Sequence, residues 1–222
     1  MRKRARKISH GTLLENATAL LTSDLPQTWN QAALFGSVAP LELEIGSGRG
    51  LFITQVSAAI PNRHFLGVEI SKKYAAHCAS LIAQKQLSNA VMIYGDAYLV
   101  LKDYLPDESL TAVHIYFPDP WWKRRHRKRR IVCESVIELV WRRLVVGGKL
   151  HFWTDVEEYF LAGLKSIAAV SGFERFLESP DKTNAEQIKQ SDGYNFDYRT
   201  HFERRTLGHG ETVYRSLFVK KF

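Results

Sequence analysis

Short apolar runs of strand length alternate with longer segments of helical periodicity from Leu41 onward. Strands are predicted at residues 41–45, 64–69, 91–94, 111–116 and 149–154. Helices are predicted at residues 51–60, 73–86, around 99, 131–145 and 157–171, with a turn at Gly147 and Gly148. Strands separated by such helices form βαβ units, so we expect an α/β fold with a mainly parallel sheet covered by helices on both faces. Residues 213–219 predict an antiparallel strand that closes the sheet.

The first 38 residues lack this alternation. We interpret them as an N-terminal arm, with a short helix around residues 13–21, attached to a single domain of residues 39–222. No apolar stretch approaches the roughly 18 residues of a membrane span, and no signal-peptide core follows the basic start. We therefore expect a cytoplasmic protein without membrane contact, either a monomer or a homodimer. Cys78 and Cys133 have no partner at zinc-ligand spacing, so no metal is expected.

The positive charge of the chain is concentrated in two short segments. The net charge is +8, and twelve basic residues lie within residues 2–7 and 123–130. The remainder of the chain, at eight minus twelve, carries a net charge of −4. Basic segments on a mildly acidic protein indicate phosphate contacts at a defined place, as in nucleic-acid binding.

A glycine-rich loop, residues 44–50, joins the first predicted strand to the first helix. Glycines such as Gly46 and Gly48 let the backbone turn tightly beside a nucleoside at the carboxyl end of a parallel strand. Glu69 ends the second strand, where a carboxylate can accept hydrogen bonds from both ribose hydroxyls. Asp96 follows the third strand and suits an adenine amino group. These acidic strand ends predict a nucleoside cofactor.

The glycine spacing separates two cofactors that share these features. The loop has G-x-G-x-G, with Leu51 where the pyrophosphate-binding fingerprint G-x-G-x-x-G has its last glycine. Glu44 would repel the pyrophosphate of NAD, whereas it would attract the sulfonium and α-ammonium of S-adenosylmethionine. S-adenosylmethionine is therefore predicted in preference to NAD.

A rigid aromatic loop follows the fourth predicted strand. Asp119 lies between two prolines and is followed by Trp121 and Trp122. A carboxylate can hydrogen-bond a purine edge while an indole stacks on its face, and such stacking contributes about 1 to 3 kcal/mol per base. The basic residues 123–130 come directly after this loop, so a base pocket and a phosphate-binding surface are predicted side by side.

Several motifs in order carry a family resemblance. The loop 44–50, the segment Phe117-Pro118-Asp119-Pro120-Trp121 with its basic continuation, Thr154-Asp155 and residues 200–205 together resemble the bacterial tRNA (guanine-N7)-methyltransferase family, of TrmB type. The resemblance runs from about Leu41 to the carboxyl end. It implies the Rossmann-like fold of a class I S-adenosylmethionine-dependent methyltransferase, and methyl transfer to N7 of a guanine in tRNA. Trp122 departs from the family, in which a smaller or polar residue is more usual.

The resemblance also implies a role for each motif residue. S-adenosylmethionine binding is implied for Glu44, Glu69, Asp96 and Asp119, beside Gly46 and Gly48 of the loop, and Asp119 is also the implied catalytic residue. RNA contacts are implied for Arg125, His126, Arg127, Lys128, Arg129 and Arg130. Substrate binding is implied for Lys123, Asp155, Thr200, His201, Phe202 and Glu203. Two alternatives stay open: Asp155 could cap the helix that follows it, and Glu203 could be a surface carboxylate.

Guanine N7 is an exposed lone pair, so its methylation needs no proton removed beforehand. We expect catalysis by alignment of the reactants and by the negative charge of Asp119, which would stabilise the positive charge that develops on the purine. Two other functions remain open at this stage. One is an RNA-binding module without catalysis. The other is an amino-group methyltransferase, although the loop of that class has its polar residue before both prolines.

Overall fold

The computed structural model describes residues 19–26, 28–179, 194 and 196–222, with residues 127 and 177–179 described by their backbone alone. The chain divides into two compact units, residues 1–106 and 107–222. Half of the predicted arm, including its basic segment and most of the helix predicted at residues 13–21, lies outside the described residues.

The first unit is built on four parallel strands. In sheet order, β1, β4, β3 and β2 lie side by side. The strands are β1 (Leu20–Leu21), β2 (Leu41–Ile45), β3 (His64–Glu69) and β4 (Ala90–Tyr94). The helices are α1 (Gln31–Phe35), α2 (Leu51–Ala59), α3 (Lys72–Gln84) and α4 (Ala97–Leu99), which continues into a π-helical turn at Val100–Tyr104.

Strands β2 and β3 are buried along their whole length, so the two glutamates that alternate with the apolar residues of β2 also lie inside the protein. Leu43 and Leu66 are completely buried in the core beneath the helices. Glu42 is also buried, and its carboxylate accepts a hydrogen bond from the guanidinium of Arg63 over 2.8 Å. This ion pair satisfies a charge that the alternating sequence of β2 places inside the protein.

The second unit combines parallel and antiparallel strands. In sheet order, β5, β6, β8 and β7 lie side by side; β5 and β6 are parallel, and the other two pairs are antiparallel. The strands are β5 (Leu110–Tyr116), β6 (Leu144–Thr154), β7 (Phe173–Ser179) and β8 (Tyr214–Lys220). The helices are α5 (Glu134–Arg143), α6 (Glu157–Ala168) and α7 (His201–Gly208), with a 3-10 helix at Arg124–Arg129.

Most of the predicted elements are present, including the closing antiparallel strand, which is β8. The helix predicted at residues 131–145 is shorter, because its backbone becomes helical only at Glu134. The prediction that a turn at Gly147 and Gly148 precedes the strand is wrong. These glycines lie within β6, at an irregularity where the pairing with β5 moves from Leu144 to Lys149. Gly147 has a φ of +79°, which suits such a bulge.

Four of the strands and α-helices were not predicted. Within the proposed arm, Leu20–Leu21 pairs with β4 and Gln31–Phe35 is helical, so the described part of the arm is folded with the first unit. Strand β7 has charged residues among its apolar ones, as edge strands often do. Helix α7 lies at residues 201–208, where no helix is predicted from the sequence. No helix in the described part of the chain is long and apolar enough to cross a membrane.

Candidate active site

The glycine-rich loop connects β2 to α2 in the first unit. Gly46 and Gly48 have φ values of +78° and +52°, a region that residues with a side chain rarely adopt. A Cβ atom at Gly46 would meet nothing within 4 Å, so this face of the loop is open to a ligand. The thiol of Cys78 donates a hydrogen bond to the Gly48 carbonyl over 3.1 Å and supports the loop from α3.

Glu69 connects the end of β3 to this loop. Its Oε2 accepts a hydrogen bond from the backbone N–H of Gly48 over 2.9 Å, and its Oε1 accepts one from Ser71 over 2.7 Å. A carboxylate offers about four acceptor positions, so capacity remains for ribose hydroxyls. The Glu69 carbonyl also accepts a hydrogen bond from Gly95, directly before Asp96, over 3.0 Å.

Glu44 is the most unusual group of the first unit. It is 5% exposed, and its Oε2 has no hydrogen-bond partner among the described residues. Burial raises the pKa of Glu44 to about 7, and the nearby Glu69 carboxylate acts in the same direction. A buried acceptor without a donor is costly, so the side chain is prepared for a cationic or hydrogen-donating ligand.

Asp96 is exposed at the start of α4 and caps this helix. Its Oδ1 accepts a hydrogen bond from the backbone N–H of Tyr98 over 2.9 Å. The structure therefore brings Glu69 and Asp96 to the carboxyl ends of adjacent strands, β3 and β4. Together with Glu44 and the glycines of the loop they form one group of residues within the first unit.

The loop that carries Asp119 follows β5 in the second unit. Phe117 and Trp121 both have left-handed backbone conformations, with φ values of +50° and +46°. Such conformations cost on the order of 1 to 3 kcal/mol for a bulky residue, and they cluster at functional sites. Between these two residues Asp119 is exposed, and its side chain makes no hydrogen bond or ion pair within the described part of the chain.

The two tryptophans predicted to stack on a base differ in their surroundings. Trp121 is partly buried against His126, whose ring meets it edge-on at 5.8 Å, and against Arg129, whose guanidinium lies 5.1 Å from the indole centre. Trp122 is 60% exposed. Trp122 therefore offers the freer stacking surface, while Trp121 is held by the basic segment.

The basic residues 123–130 are not equivalent. Lys123, Arg125 and Lys128 are exposed on or beside the 3-10 helix, as phosphate contacts require. Arg130 is different, because its side chain is 10% exposed and its Nε donates a hydrogen bond to the Pro120 carbonyl over 2.7 Å. The side chain of Arg127 lies outside the described residues.

Asp155 does not cap a helix, so that alternative is wrong. Helix α6 begins at Glu157, its N-cap is Val156, and no side-chain cap hydrogen bond is present. The backbone N–H of Val156 instead donates to the Thr154 hydroxyl over 3.2 Å. Asp155 is exposed and carries no capping role, so its carboxylate remains free for a substrate contact.

Residues 200–203 form the start of α7. The Thr200 hydroxyl accepts a hydrogen bond from the backbone N–H of Glu203 over 2.9 Å, as an N-cap does. His201 lies at the first helical position. Phe202 is 51% exposed, and its ring stacks on Phe117 with centroids 6.2 Å apart. The structure thus brings the start of α7 to the Asp119 loop.

Glu203 is completely buried, so the surface-carboxylate alternative is also wrong. Its Oε1 accepts a hydrogen bond from the Arg215 guanidinium over 2.9 Å, and its Oε2 accepts one from the backbone N–H of Arg199 over 2.7 Å. Burying one charge without its partner would be costly, so the Glu203–Arg215 ion pair stabilises the start of α7. Any contact with a substrate would have to compete with these two hydrogen bonds.

Sequence reasoning missed the buried arginine beneath this helix. Arg199 is 1% exposed, its guanidinium lies 4.6 Å from the Trp153 ring centre, and it donates a hydrogen bond to the Tyr116 hydroxyl over 2.7 Å. The same hydroxyl contacts Nδ1 of His114 at 2.9 Å. An Arg in a polar stretch gives no sign of burial, because its partners lie far away in the sequence.

Comparisons with known proteins all lead to methyltransferases. The family model described as "Putative methyltransferase" matches residues 38–216. A tRNA (guanine-N(7)-)-methyltransferase from Rhodopirellula baltica is 43% identical over 203 residues, which cover 89% of this chain and 72% of the relative. A protein of the same name from Chromobacterium violaceum is 36% identical, over 88% of this chain and 82% of the relative.

Among solved structures, the antibiotic-resistance methyltransferase Kmr matches with a TM-score of 0.57 at 16% identity. The match covers 87% of this chain and 94% of that one. The fold is therefore the predicted Rossmann-like α/β fold of class I methyltransferases, with a mainly parallel sheet and an antiparallel closing strand.

Proposed function

This chain belongs to the tRNA (guanine-N7)-methyltransferase family, and we propose that it transfers a methyl group from S-adenosylmethionine to N7 of a guanine in tRNA. The observation that carries the proposal is the extent of the family match. Residues 38–216 include the acidic strand ends, the Asp119 loop, the basic segment and the start of α7. A protein that only bound RNA would have no use for the buried Glu44 carboxylate, whose Oε2 has no hydrogen-bond partner among the described residues. A cytoplasmic location is part of the same proposal, since tRNA is the substrate.

The residues of the first unit fit S-adenosylmethionine. The observation that supports this fit is Oε2 of Glu44, which is buried and accepts no hydrogen bond from the described residues. An α-ammonium group would supply such a donor, together with a compensating charge. We assign the ribose hydroxyls to Glu69 and the adenine amino group to Asp96, with the backbone at Gly46 and Gly48 lying alongside the ligand.

In the second unit we assign the guanine and its surrounding RNA. Exposed carboxylates such as Asp155 can accept hydrogen bonds from the N1 and N2 hydrogens of guanine, which adenine lacks, and so select the base. Phe202 offers an exposed ring beside the Asp119 loop. The remaining substrate contacts fall to Lys123, Thr200 and His201, and the RNA contacts to the exposed basic residues. Glu203 contributes by holding the start of α7 through Arg215 and Arg199.

When bound, S-adenosylmethionine supplies an electrophilic methyl group, and its transfer leaves the positive charge on the purine. The chain has to align the base, exclude water and stabilise that charge. No general base is required, because the N7 lone pair is free at neutral pH. The Asp119 carboxylate, fixed between two prolines and two left-handed residues, provides a preorganised negative charge for this purpose.

Incubation of the purified chain with labelled S-adenosylmethionine and unmodified tRNA tests the proposal directly. We expect label in the tRNA and strand cleavage by aniline at a single guanine after reduction, which maps 7-methylguanosine. The matched control is tRNA in which that guanine is replaced by adenine, and it should receive no label. Label recovered on an exocyclic amino group, or binding of tRNA without any transfer, would contradict the proposal.

A further inference from the structure

Arg130 is the last residue of the basic segment, and its surroundings differ from those of the exposed members. Its guanidinium lies against the Tyr159 ring, with 4.8 Å between the guanidinium carbon and the ring centre. Tyr159 is itself fully buried in α6, where its hydroxyl accepts a hydrogen bond from the backbone N–H of Val132 over 3.2 Å. The ring is therefore a fixed support under the arginine.

The polar contacts of Arg130 lead toward the Asp119 loop. Its Nε donates to the carbonyl of Pro120, the residue directly after Asp119, over 2.7 Å. Its Nη2 is buried without a hydrogen-bond partner among the described residues, and lies 3.9 Å from the carboxylate of Glu158. A phosphate contact needs a guanidinium that reaches solvent, whereas this one is 10% exposed and already engaged.

We propose that Arg130 is a positioning residue, which fixes the Asp119 loop through the Pro120 carbonyl instead of contacting RNA phosphates. A proline cannot donate a backbone hydrogen bond, so Pro118 and Pro120 can be anchored only through their carbonyls. The strained conformations of Phe117 and Trp121 also require contacts that hold the loop in place. The Nε–H of Arg130 is such a contact. The inference rests on the proposed function only where it predicts a change in the rate of methyl transfer.

The test compares Arg130→Lys and Arg130→Ala with Arg125→Ala, which removes an exposed charge of the same segment. With saturating tRNA and S-adenosylmethionine, we expect both Arg130 variants to lose at least tenfold in single-turnover rate. Lys keeps the charge but not the planar group on Tyr159 or the Nε donor. The dependence of tRNA affinity on salt should stay as in the parent protein. Arg125→Ala should instead lower the salt slope by about 0.7 to 0.9.

A second measurement does not depend on activity. Hydrogen exchange of the Phe117 amide, which donates to the Trp153 carbonyl over 2.7 Å at the start of the Asp119 loop, should become faster in Arg130→Lys, while exchange in the rest of β6 stays the same. Glu138→Gln is the control, since it removes an exposed carboxylate of α5 that makes no recorded contact with Arg130 and should change neither exchange nor rate. A wild-type chain without tRNA methylation would overturn the proposed function, yet faster exchange would still support the inference. Unchanged exchange in Arg130→Lys, or a salt slope lowered in Arg130→Ala as in Arg125→Ala, would overturn the inference itself.

Discussion

Glu69 accepts a hydrogen bond from the backbone N–H of Gly48 over 2.9 Å, so the end of β3 and the glycine-rich loop form one connected structure. The same carboxylate holds Ser71 at the start of α3. Glu69 thus shapes the loop as well as offering its remaining lone pairs to a ligand. Asp96, in contrast, is exposed and makes a single local cap hydrogen bond. The two acids should therefore respond differently to substitution.

Asp96→Ala should weaken S-adenosylmethionine binding by about 1 to 3 kcal/mol, the cost of losing a charge-assisted acceptor, with little change in thermal stability. Glu69→Ala should weaken binding at least as much and also lower the melting temperature, because two backbone N–H groups lose their acceptor. Calorimetry and thermal unfolding measure the two effects. Asp103→Ala, an exposed acid of the same unit, is the control and should change neither. Unchanged affinity in both site variants would remove these acids from the cofactor site.

The pKa of Glu44 gives the free energy of unfolding a defined pH dependence. Burial raises this pKa to about 7 in the folded protein, against 4.5 for an unperturbed glutamate. The folded state therefore binds the proton more tightly than the unfolded state. The contribution of protonated Glu44 to the free energy of unfolding is fully present below pH 4.5 and is lost as the pH rises through 7. The ligand-free protein should lose on the order of 3 kcal/mol of stability across this range from Glu44 alone. Glu44→Gln should lack that loss, which urea unfolding at pH 5 and pH 8 would measure.

The ionisation of Glu44 should also affect S-adenosylmethionine binding, but in the opposite direction: the affinity should rise with pH where the stability falls. An α-ammonium favours the ionised carboxylate, so S-adenosylmethionine affinity of the parent protein should rise between pH 6 and 7.5, below the range where an α-amino group loses its proton. Glu44→Gln should bind more weakly and without this rise. If parent and variant show the same pH dependence in both unfolding and binding, Glu44 is neither the buried acid nor the ammonium acceptor inferred here.

Exposed members of the basic segment should act through charge alone. Arg125→Ala and Lys128→Ala should each lower the slope of log affinity for tRNA against log salt by about 0.7 to 0.9, one phosphate contact apiece, and S-adenosylmethionine affinity should stay constant. Filter binding across a range of salt concentrations measures the slope. Lys165→Ala removes an exposed charge from α6 of the same unit and serves as the control. If the double variant keeps the parental slope, these residues do not contact phosphates and the segment is only a solvated surface.

Strand β4 could be predicted from its short apolar run, and β2 from its regular alternation of leucine and glutamate. Glu69 and Asp96 could be placed because they end or closely follow predicted strands. Helix α7 was missed because it is short and mostly polar, although the Thr200-x-x-Glu203 spacing is a helix-start signal. The roles of Arg130 and Glu203 could not be read from the sequence. Whether a charged side chain is buried depends on tertiary partners such as Tyr159 and Arg215, which sequence spacing does not bring together.

Asp119→Asn tests the mechanism itself. The substitution keeps the shape of the side chain and an acceptor oxygen but removes the charge that would offset the developing purinium. We expect an intact fold and nearly parental tRNA affinity, because phosphate contacts dominate binding, together with a loss of roughly a hundredfold or more in single-turnover rate. The parental rate should be flat with pH near neutrality once S-adenosylmethionine is saturating, since lone-pair attack needs no deprotonation. A parental rate that climbed through a carboxylate-like pKa would indicate proton removal. An Asn variant that turned over at the parental rate would leave Asp119 as a residue that only shapes its loop.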